Sequence, residues 1–417
     1  MKEAFVVMRH FASVAVLLFV LVTAVGCGKT PSPAKATGWR GDGSGVYPDV
    51  TPVAEWDSDE KKGILWKVTV GSSFSSPVVV ADRVFLTSEQ EKVICVDAKA
   101  HKVLWTKNNT FADLPKELGA KEKRHPTSCG FSTATPVTDG AHVWASFGTG
   151  IVACYGIEGN RKWIVWLNNP QQAPYGRAAS PLLVDGKLIV TAGFLVALDP
   201  ATGKTLWTCE GAAESYGTSA VMKAGGATLL ITPMGDVVRV SDGTLLDRSL
   251  AACTYNSPVV AGNVVYFADV HSGAFEMSVG QDGKVAFRKA WQIDLEGEFF
   301  ASPVVYDGIL YVASNDGLLH AIDAAKGDVL YHQQLDMASS TVMLGMSPGN
   351  LYPSLAVAGG KLFVSNDKGQ TVVVQPGKDF KQLAKNYVED GSGANAVFDG
   401  KFVYLRGGKD LYCIGSR

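Results

Sequence analysis

One four-strand pattern recurs eight times along the chain. In its clearest copy, residues 180–190 read as a strand, an Asp-Gly hairpin and a second strand, and residues 197–207 read as two further strands joined by a Thr-Gly-Lys turn. A polar anchor residue begins each copy, and the anchors are Ser76, Thr135, Ser180, Ser219, Ser257, Ser302, Ser354 and Asn395. Successive anchors are about 46 residues apart on average, which is the repeat length of a four-stranded propeller blade.

The two ends of the chain carry complementary parts of this repeat. The last copy stops after a third strand at residues 411–414, whereas residues 64–68 read as a fourth strand with no other strand before it. When the N-terminal strand completes the last copy, no long free sheet edge remains to pair with other chains. The sequence therefore predicts an all-β fold, an eight-bladed β-propeller of four-stranded blades over residues 47–417, closed by the N-terminal strand.

The composition fits one large β-rich body. The chain of 417 residues has 45 glycines, which suit the many turns of such a fold, and 47% hydrophobic residues, which support a large buried core. Its 38 basic and 40 acidic residues give a net charge of −2. Because nucleic-acid binding requires a basic surface, we expect no nucleic-acid partner, and we expect the closed ring to be a monomer.

The first 26 residues are typical of an export signal. Two basic residues, Lys2 and Arg9, precede an uncharged, mostly apolar run of 16 residues from Phe11 to Gly26. That run is shorter than the roughly 20 residues that a helix needs to span a bilayer, so it favours a signal peptide over a membrane anchor. The run ends in Ala-Val-Gly-Cys, which resembles the lipobox of bacterial lipoproteins and implies lipidation of Cys27. Cleavage by the ordinary signal peptidase, with Cys27 left as a thiol, is the alternative.

Residues 27–46 form the next predicted segment. They are rich in Gly, Ser, Pro and Lys and poor in apolar residues, so we expect a flexible tether between the lipidated cysteine and the propeller. The acyl chains of a lipoprotein would hold the protein at a membrane. Gly28, rather than Asp, follows the cysteine, which favours the outer membrane over the inner membrane. The expected location is the periplasmic face of the bacterial cell envelope.

A motif within the repeats resembles a known family. It reads Ala-x-Asp-x-x-Thr-Gly-Lys-x-x-Trp at residues 197–207, and weaker copies lie at residues 95–105, 154–163 and 321–331. Motif and repeat number together resemble the pyrroloquinoline-quinone-type repeat propellers over residues 39–417. One branch of that family comprises quinoprotein dehydrogenases, and another comprises noncatalytic lipoproteins similar to BamB, a subunit of the outer-membrane protein assembly machinery. The opening Trp-Arg-Gly-Asp-Gly-Ser-Gly of the body also resembles that of secreted propellers of unassigned role.

Two sets of repeated side chains are interpreted as structural. Tryptophans at equivalent positions in successive blades favour docking of neighbouring blades, and stacking on a cofactor is the alternative. These tryptophans are Trp66, Trp105, Trp163 and Trp207. The anchor hydroxyls are expected to form a ring on the innermost strands and to hydrogen-bond between blades, with ligand binding as the alternative.

Local motifs of enzymatic chemistry are missing from the sequence. It contains no Cys-x-x-Cys or His-Glu-x-x-His metal motif and no Gly-x-Ser-x-Gly nucleophile motif, so we predict no catalytic, cofactor-binding or metal-binding residue. The resemblance to quinoprotein alcohol dehydrogenases implies a pair of adjacent cysteines at the cofactor, and no two cysteines are adjacent here. Pyrroloquinoline quinone with calcium is therefore expected only under the dehydrogenase alternative.

The remaining cysteines fall into two groups. Cys95, Cys154 and Cys413 stand where sister copies have Ala, so they are interpreted as small core residues. The other three are irregularly spaced. One disulfide between two of them is an alternative that an oxidising compartment allows. They are Cys129, Cys209 and Cys253.

Two insertions interrupt the repeats, at residues 108–130 and 336–352. The first is of mixed charge and the second contains an apolar, Met-rich cluster. Such loops suit adaptable protein contacts, and plugging of the channel mouth is the alternative. The candidate contact residues are Lys116, Arg124, Met343, Leu344 and Met346.

The expected function follows from this architecture and from the BamB-like resemblance. We expect a noncatalytic, membrane-anchored scaffold whose partners are envelope proteins, including components of outer-membrane protein assembly. Two alternatives stay open. One is a dehydrogenase dependent on pyrroloquinoline quinone, and the other is a propeller that binds a carbohydrate or another small ligand in its channel.

Overall fold

The computed structural model describes residues 37–118, 127–168, 175–212, 215–281, 284–337 and 351–416. These residues form 33 β-strands and two short 3-10 turns, Phe111–Asp113 and Lys116–Leu118. Within this part of the chain, no helix is long and apolar enough to cross a membrane.

The strands form eight sheets, which are the blades of a propeller, and the four blade strands of each sheet are antiparallel. Two strands, β1 (Val46–Tyr47) and β2 (Ile64–Thr69), precede the first complete blade. Blade 1 contains β3 (Val78–Val80), β4 (Arg83–Ser88), β5 (Lys92–Asp97) and β6 (Lys102–Asn108), and blade 2 contains β7 (Val137–Thr138), β8 (His142–Ser146), β9 (Ile151–Gly156) and β10 (Arg161–Trp166). Blade 3 contains β11 (Leu182–Val184), β12 (Lys187–Thr191), β13 (Leu195–Leu198) and β14 (Thr205–Cys209), and blade 4 contains β15 (Ala220–Ala224), β16 (Ala227–Ile231), β17 (Val237–Arg239) and β18 (Leu245–Asp247).

The second half of the ring repeats this order. Blade 5 contains β19 (Val259–Ala261), β20 (Val264–Phe267), β21 (His271–Val279) and β22 (Val285–Asp294), and blade 6 contains β23 (Val304–Tyr306), β24 (Ile309–Ala313), β25 (Leu318–Asp323) and β26 (Val329–Gln334). Blade 7 contains β27 (Ala356–Ala358), β28 (Lys361–Ser365), β29 (Gln370–Val374) and β30 (Gln382–Tyr387), and blade 8 contains β31 (Val397–Asp399), β32 (Phe402–Gly407) and β33 (Asp410–Ile414). The first strands of neighbouring blades contact one another, so they surround a central channel.

The N-terminal strand closes the ring. β2 pairs antiparallel with β33, with Trp66 opposite Cys413 and Val68 opposite Leu411. Blade 8 therefore takes its outermost strand from the beginning of the chain and its other three strands from the end. The predicted fold class and its mode of closure are confirmed.

Turn chemistry explains why this sequence adopts the blade pattern. The hairpin between β11 and β12 places Asp185 and Gly186 at φ +45° and +69°, the left-handed conformation that an Asp-Gly turn provides. In the next turn the Asp199 carboxylate accepts the N–H groups of Ala201 and Thr202, both at 2.9 Å. The turn ends at Gly203, which has φ +73°.

Part of the predicted tether, from Thr37, the first described residue, to Val46, packs against the blades. Thr37 exchanges backbone hydrogen bonds with Thr138 of β7, and β1 pairs parallel with β27 of blade 7. The glycines of this arm form tight turns around the buried Arg40 side chain, and a Cβ at Gly45 would overlap its guanidinium. Glycine content here therefore serves packing rather than flexibility. The predicted signal peptide, Cys27 and residues 27–36 of the tether lie outside the described residues.

Apolar side chains fill the space between successive blades. One cluster joins Phe85 of blade 1 to Val143 and Tyr155 of blade 2, and similar clusters follow around the ring. The three cysteines interpreted as core residues lie in these clusters. All six described cysteines are unpaired, so Cys129, Cys209 and Cys253 form no disulfide with one another.

Candidate functional site

A closed ring of hydrogen bonds surrounds the channel. In each blade the backbone N–H of the anchor residue donates to the side-chain oxygen of the next blade's anchor, at distances between 2.6 and 3.2 Å. This anchor ring consists of Ser76, Thr135, Ser180, Thr218, Ser257, Ser302, Ser354 and Asn395, all of which are buried. The expected hydrogen bonding between blades is confirmed.

The sequence repeat predicts Ser219 as the anchor of blade 4, and this prediction is wrong: the anchor is Thr218. Thr218 Oγ1 accepts the N–H of Ser180 at 2.9 Å, and the Thr218 N–H donates to Ser257 Oγ at 2.8 Å. Two hydroxyl residues are adjacent here, and no Pro follows to mark the register as it does after Ser180 and Ser257. Pattern matching therefore shifted this anchor by one residue.

Aromatic side chains line one half of the channel, and they lie in the connections between blades that precede the anchor residues. Five rings from successive connections pack in a continuous arc, with centroid distances of 5.6, 5.7, 4.8 and 5.2 Å between consecutive members. This aromatic arc consists of Tyr175, Tyr216, Tyr255, Phe300 and Tyr352. Phe74 extends it beyond Gly393, where a Cβ would lie 2.6 Å from the Phe74 ring. Sequence reasoning missed the arc, although an aromatic residue stands two places before the anchor in five of the eight copies.

Small residues on the other half of the channel leave space. The positions two places before the anchor are Thr133, Ala178 and Gly393 in the three remaining blades. They and the aromatic arc border a cavity of about 280 Å³, which the side chains of the anchor ring also line. Ser128 and Cys129 at the end of the first insertion, and Tyr352 at the end of the second, contribute to its wall. The described ends of both insertions therefore meet at one site.

Asp367 is the charged residue in the described wall of this cavity. It lies in the turn between β28 and β29, and its Oδ1 is buried and accepts no hydrogen bond from the described residues. Burial raises the pKa of this carboxyl, and Lys368 acts in the opposite direction. Burial also raises the pKa of Tyr352, with a further contribution from the Asp367 charge.

The N-terminal arm crosses the channel and contacts residues that follow the anchors in the chain, at the beginning of the first strands. Thr37 pairs with Thr138 of blade 2, and the Arg40 guanidinium donates to the carbonyls of Pro303 and Leu355, at 2.7 and 2.8 Å, beside blades 6 and 7. Burial lowers the Arg40 pKa to about 10, and Tyr47 and Asp42 act in the opposite direction. Between these contacts Trp39 lines the cavity. The Trp-Arg-Gly opening of the body thus supplies one end of the channel site.

The predicted docking tryptophans contact the following blade. The Trp105, Trp163 and Trp207 indole N–H groups donate to main-chain carbonyls of the next blade, at 3.1, 3.0 and 3.0 Å. Each of these rings covers a turn glycine of that blade. Trp66 instead stacks on His101, which replaces the glycine, with ring centroids 5.4 Å apart. Trp291 makes the same contact in blade 5, at 2.9 Å, and sequence reasoning missed it.

The predicted partner loops are only partly described. Lys116 is exposed on the second 3-10 turn. Arg124, Met343, Leu344 and Met346 lie outside the described residues, so their role stays a prediction.

The described wall does not match pyrroloquinoline quinone with calcium. The quinone is a tricarboxylate, and calcium takes six to eight oxygen ligands, mostly carboxylates and carbonyls. The described wall offers Asp367 as its carboxylate and contains no Lys or Arg. Over the same described residues, no group of three or more His, Cys, Asp or Glu side chains is placed to hold a metal ion.

Fold and channel together define a class, the closed eight-bladed β-propeller with a strand from each chain end in its last blade. Within that class the chain belongs to the family described as outer membrane protein assembly factor BamB, whose sequence model matches residues 56–289 and 233–381. The predicted resemblance to the pyrroloquinoline-quinone-type repeat and its BamB-like branch is confirmed at the level of the family.

The relatives are distant. The BamB of Moranella endobia (strain PCIT) is 22% identical over 299 residues, which cover 69% of this chain and 66% of that protein. The chain thus spans slightly less than two thirds of this relative's length. Among solved structures, BamB from Moraxella catarrhalis has a TM-score of 0.60 at 13% identity, covering 85% of this chain and 97% of that one. Quinohemoprotein alcohol dehydrogenase from Comamonas testosteroni has 0.57 at 11% identity, covering 88% and 78%. These two similarities show the fold alone.

Proposed function

We propose that the protein is a noncatalytic, lipid-anchored scaffold that acts in outer-membrane protein assembly on the periplasmic side of the bacterial envelope. The observation that supports this function is the family match over residues 56–289 and 233–381, together with relatives that are named as outer membrane protein assembly factors. The described channel wall, with one carboxylate and no Lys or Arg, does not favour the dehydrogenase alternative.

The proposed mechanism is rigid display of loops. The anchor ring and the shared eighth blade hold the blades in fixed positions, so loops on one face keep their spacing. The described ends of both insertions, at Cys129 and Tyr352, lie at the same cavity. A partner that contacts both insertions would therefore find their described ends at a fixed separation, which favours simultaneous contact with both.

Crosslinking in the native envelope tests the scaffold role. The full-length chain with a C-terminal affinity tag is crosslinked in cells, extracted in mild detergent and analysed by mass spectrometry. We expect outer-membrane β-barrel assembly proteins to be enriched over an unrelated tagged lipoprotein. Equal recovery with both baits contradicts the proposal.

Substitutions in the second insertion test which surface is used. Replacing Met343, Leu344 and Met346 together with Ser should lose the captured partner without lowering the melting temperature, since loop residues contribute little to the core. The matched control replaces Leu206, an exposed residue on the outermost strand of blade 3, with Ser. Retained capture by the triple variant removes this loop from the proposed surface.

The lipid anchor has its own test. Cys27→Ser should abolish incorporation of labelled palmitate and release the protein from membranes, because the thiol that receives the first acyl chain is gone. Cys129→Ser is the matched control and should leave both unchanged. Membrane association that persists in Cys27→Ser contradicts anchoring through this residue.

A further inference from the structure

We propose that the channel cavity is a binding site for an alkylammonium group, held between the aromatic arc and the Asp367 carboxylate. This site goes beyond the scaffold function and does not depend on it. The ammonium group is carried either by a small free amine or by a lysine side chain of a protein segment that enters the channel.

The charge of the described wall sets the sign of the ligand. Asp367 lines the cavity, and its Oδ1 is buried and accepts no hydrogen bond from the described residues. A carboxylate in a partly shielded, mostly apolar wall attracts a cationic ligand more strongly than the same charge does in water. At the Asp367 end of the cavity, the carboxylate therefore favours a cation over an anion.

The aromatic arc adds a second attraction of the same sign. Aromatic rings have electron-rich faces, which attract ammonium groups, and this attraction grows when the site is shielded from water. The five rings of the arc border the cavity. The last of them is Tyr352, whose pKa is raised by burial and also by the negative charge of Asp367. Rings and carboxylate together form the environment in which proteins recognise ammonium groups.

The opposite end of the cavity helps to place the ligand. Arg40 lies 5.2 Å from the centroid of the Trp39 ring, so the Trp39 end of the channel already holds a positive charge. A bound ammonium is therefore expected at the end formed by the aromatic arc and Asp367. The volume of about 280 Å³ exceeds that of a trimethylammonium or butylammonium group, so the cavity has room for either source.

Calorimetric titration of the full-length protein in detergent tests the charge preference. Choline is the probe, and its neutral isostere 3,3-dimethylbutan-1-ol is the matched control. We expect choline to bind at least tenfold more tightly than the alcohol, because only choline gains the electrostatic attraction. N-acetyl-lysine methylamide tests the second source: binding of this peptide mimic assigns the site to a lysine side chain, and binding of choline alone assigns it to a free amine.

The remaining outcomes of the titration overturn the proposal. Equal affinity for choline and the alcohol would leave an apolar pocket without charge preference. Binding of maltose with no binding of either cation would make the cavity a carbohydrate site. No binding of any probe removes the site.

Two variants link binding to the named residues. Asp367→Asn should weaken choline binding at least tenfold and leave the weak binding of the alcohol unchanged, whereas Asp399→Asn, at an exposed carboxyl outside the cavity wall, should leave both unchanged. Tyr255→Leu should weaken choline binding while the apolar volume is largely kept. Unchanged choline affinity in Asp367→Asn contradicts the assignment.

Thiol protection keeps the test independent of variant folding. Cys129 lines the cavity and is partly exposed, and the other five described cysteines are buried. In the Cys27→Ser chain, choline should slow the modification of Cys129 by a small thiol reagent, and the alcohol at the same concentration should not. Equal rates with and without choline contradict the proposed site.

Discussion

The backbone N–H of Asn395 donates a hydrogen bond to Ser76 Oγ at 3.0 Å, joining residues that are 319 positions apart in the chain. This contact completes the anchor ring between the last blade and the first. Pairing of β2 with β33 closes the same junction at the outer edge of blade 8. The ring is thus closed at its inner and outer radii by independent interactions, and each of them can be tested separately.

The anchor register gives the first prediction. Thr218→Val keeps the shape of the side chain but leaves the buried N–H of Ser180 without its acceptor, so the free energy of unfolding should fall by about 1–3 kcal/mol. Ser219→Ala is the control, because the hydroxyl of Ser219 is not part of the ring, and its change should stay within about 0.5 kcal/mol. Urea unfolding measures both. If Ser219→Ala loses more unfolding free energy than Thr218→Val does, then Ser219 is the anchor of blade 4, as the sequence repeat predicts.

Arg406 gives the second prediction. This buried side chain of blade 8 donates to the carbonyls of Gly71, Ser75 and Thr87, which lie in and before blade 1. Burial lowers its pKa to about 9, and the negative charge of Glu89 acts in the opposite direction. Arg406→Met keeps the apolar stem and removes the donors, so the free energy of unfolding should fall by at least about 2 kcal/mol.

The control for Arg406 is the same substitution at Arg83. Arg83 forms an ion pair with Glu158 at 3.0 Å, and the Glu158 side chain is 70% exposed. Because exposed ion pairs contribute little, Arg83→Met should cost less than about 1 kcal/mol by urea unfolding. Similar losses in the two variants would show that the Arg406 contacts do not hold the closure.

The repeats make the blade architecture readable from the sequence, whereas the site depends on neighbours that the sequence does not show. Hairpin glycines, alternating strands and the incomplete end copies specify the ring and its closure. The environment of Asp367 comes from the blades around it, and locally it reads as an ordinary turn residue. Tyr175 joins the aromatic arc from outside the repeated positions. The composition of the arm around Arg40 predicts a tether, because glycine-rich turns and glycine-rich linkers have the same composition.

The docking role of Trp207 gives the third prediction. Its ring covers Gly243 of blade 4, where a Cβ would lie 2.6 Å from the ring, and Gly243 has φ +74°. Gly243→Ala should cost about 1–2 kcal/mol for the left-handed conformation and about 1–3 kcal/mol more for the clash. Gly226→Ala is the control, since Gly226 has φ +87° in the same blade with no atom within 4 Å of the added Cβ, and it should show the conformational cost alone.

A double-mutant cycle isolates the contact between the two blades. In a Trp207→Ala background the clash is removed, so Gly243→Ala should cost no more than Gly226→Ala. Unfolding free energies of the four proteins give the coupling. An undiminished cost in the Trp207→Ala background contradicts docking through this pair.

The fourth prediction concerns pH. Burial raises the pKa of Asp367 above its unfolded value of about 3.9, so the folded state keeps the proton to a higher pH than the unfolded state does. At this site stability is therefore greatest below the unfolded pKa and falls as the pH rises through the folded pKa. Asp367→Asn should be more stable than the parent at about pH 7, and the difference should vanish toward about pH 4, as measured by urea unfolding across this range.

Asp97 provides a control of opposite sign. Hydrogen bonds from the N–H groups of Ala100 and Lys99 lower the pKa of its carboxyl, so its contribution to stability is present above the unfolded pKa and is lost as the pH falls through the folded pKa. Asp97→Asn should therefore be less stable than the parent at about pH 7, opposite to Asp367→Asn. Saturating choline should reduce the advantage of Asp367→Asn, because a bound cation stabilises the carboxylate of the parent. A stability difference for Asp367→Asn that is constant with pH contradicts the desolvated carboxylate on which this prediction depends.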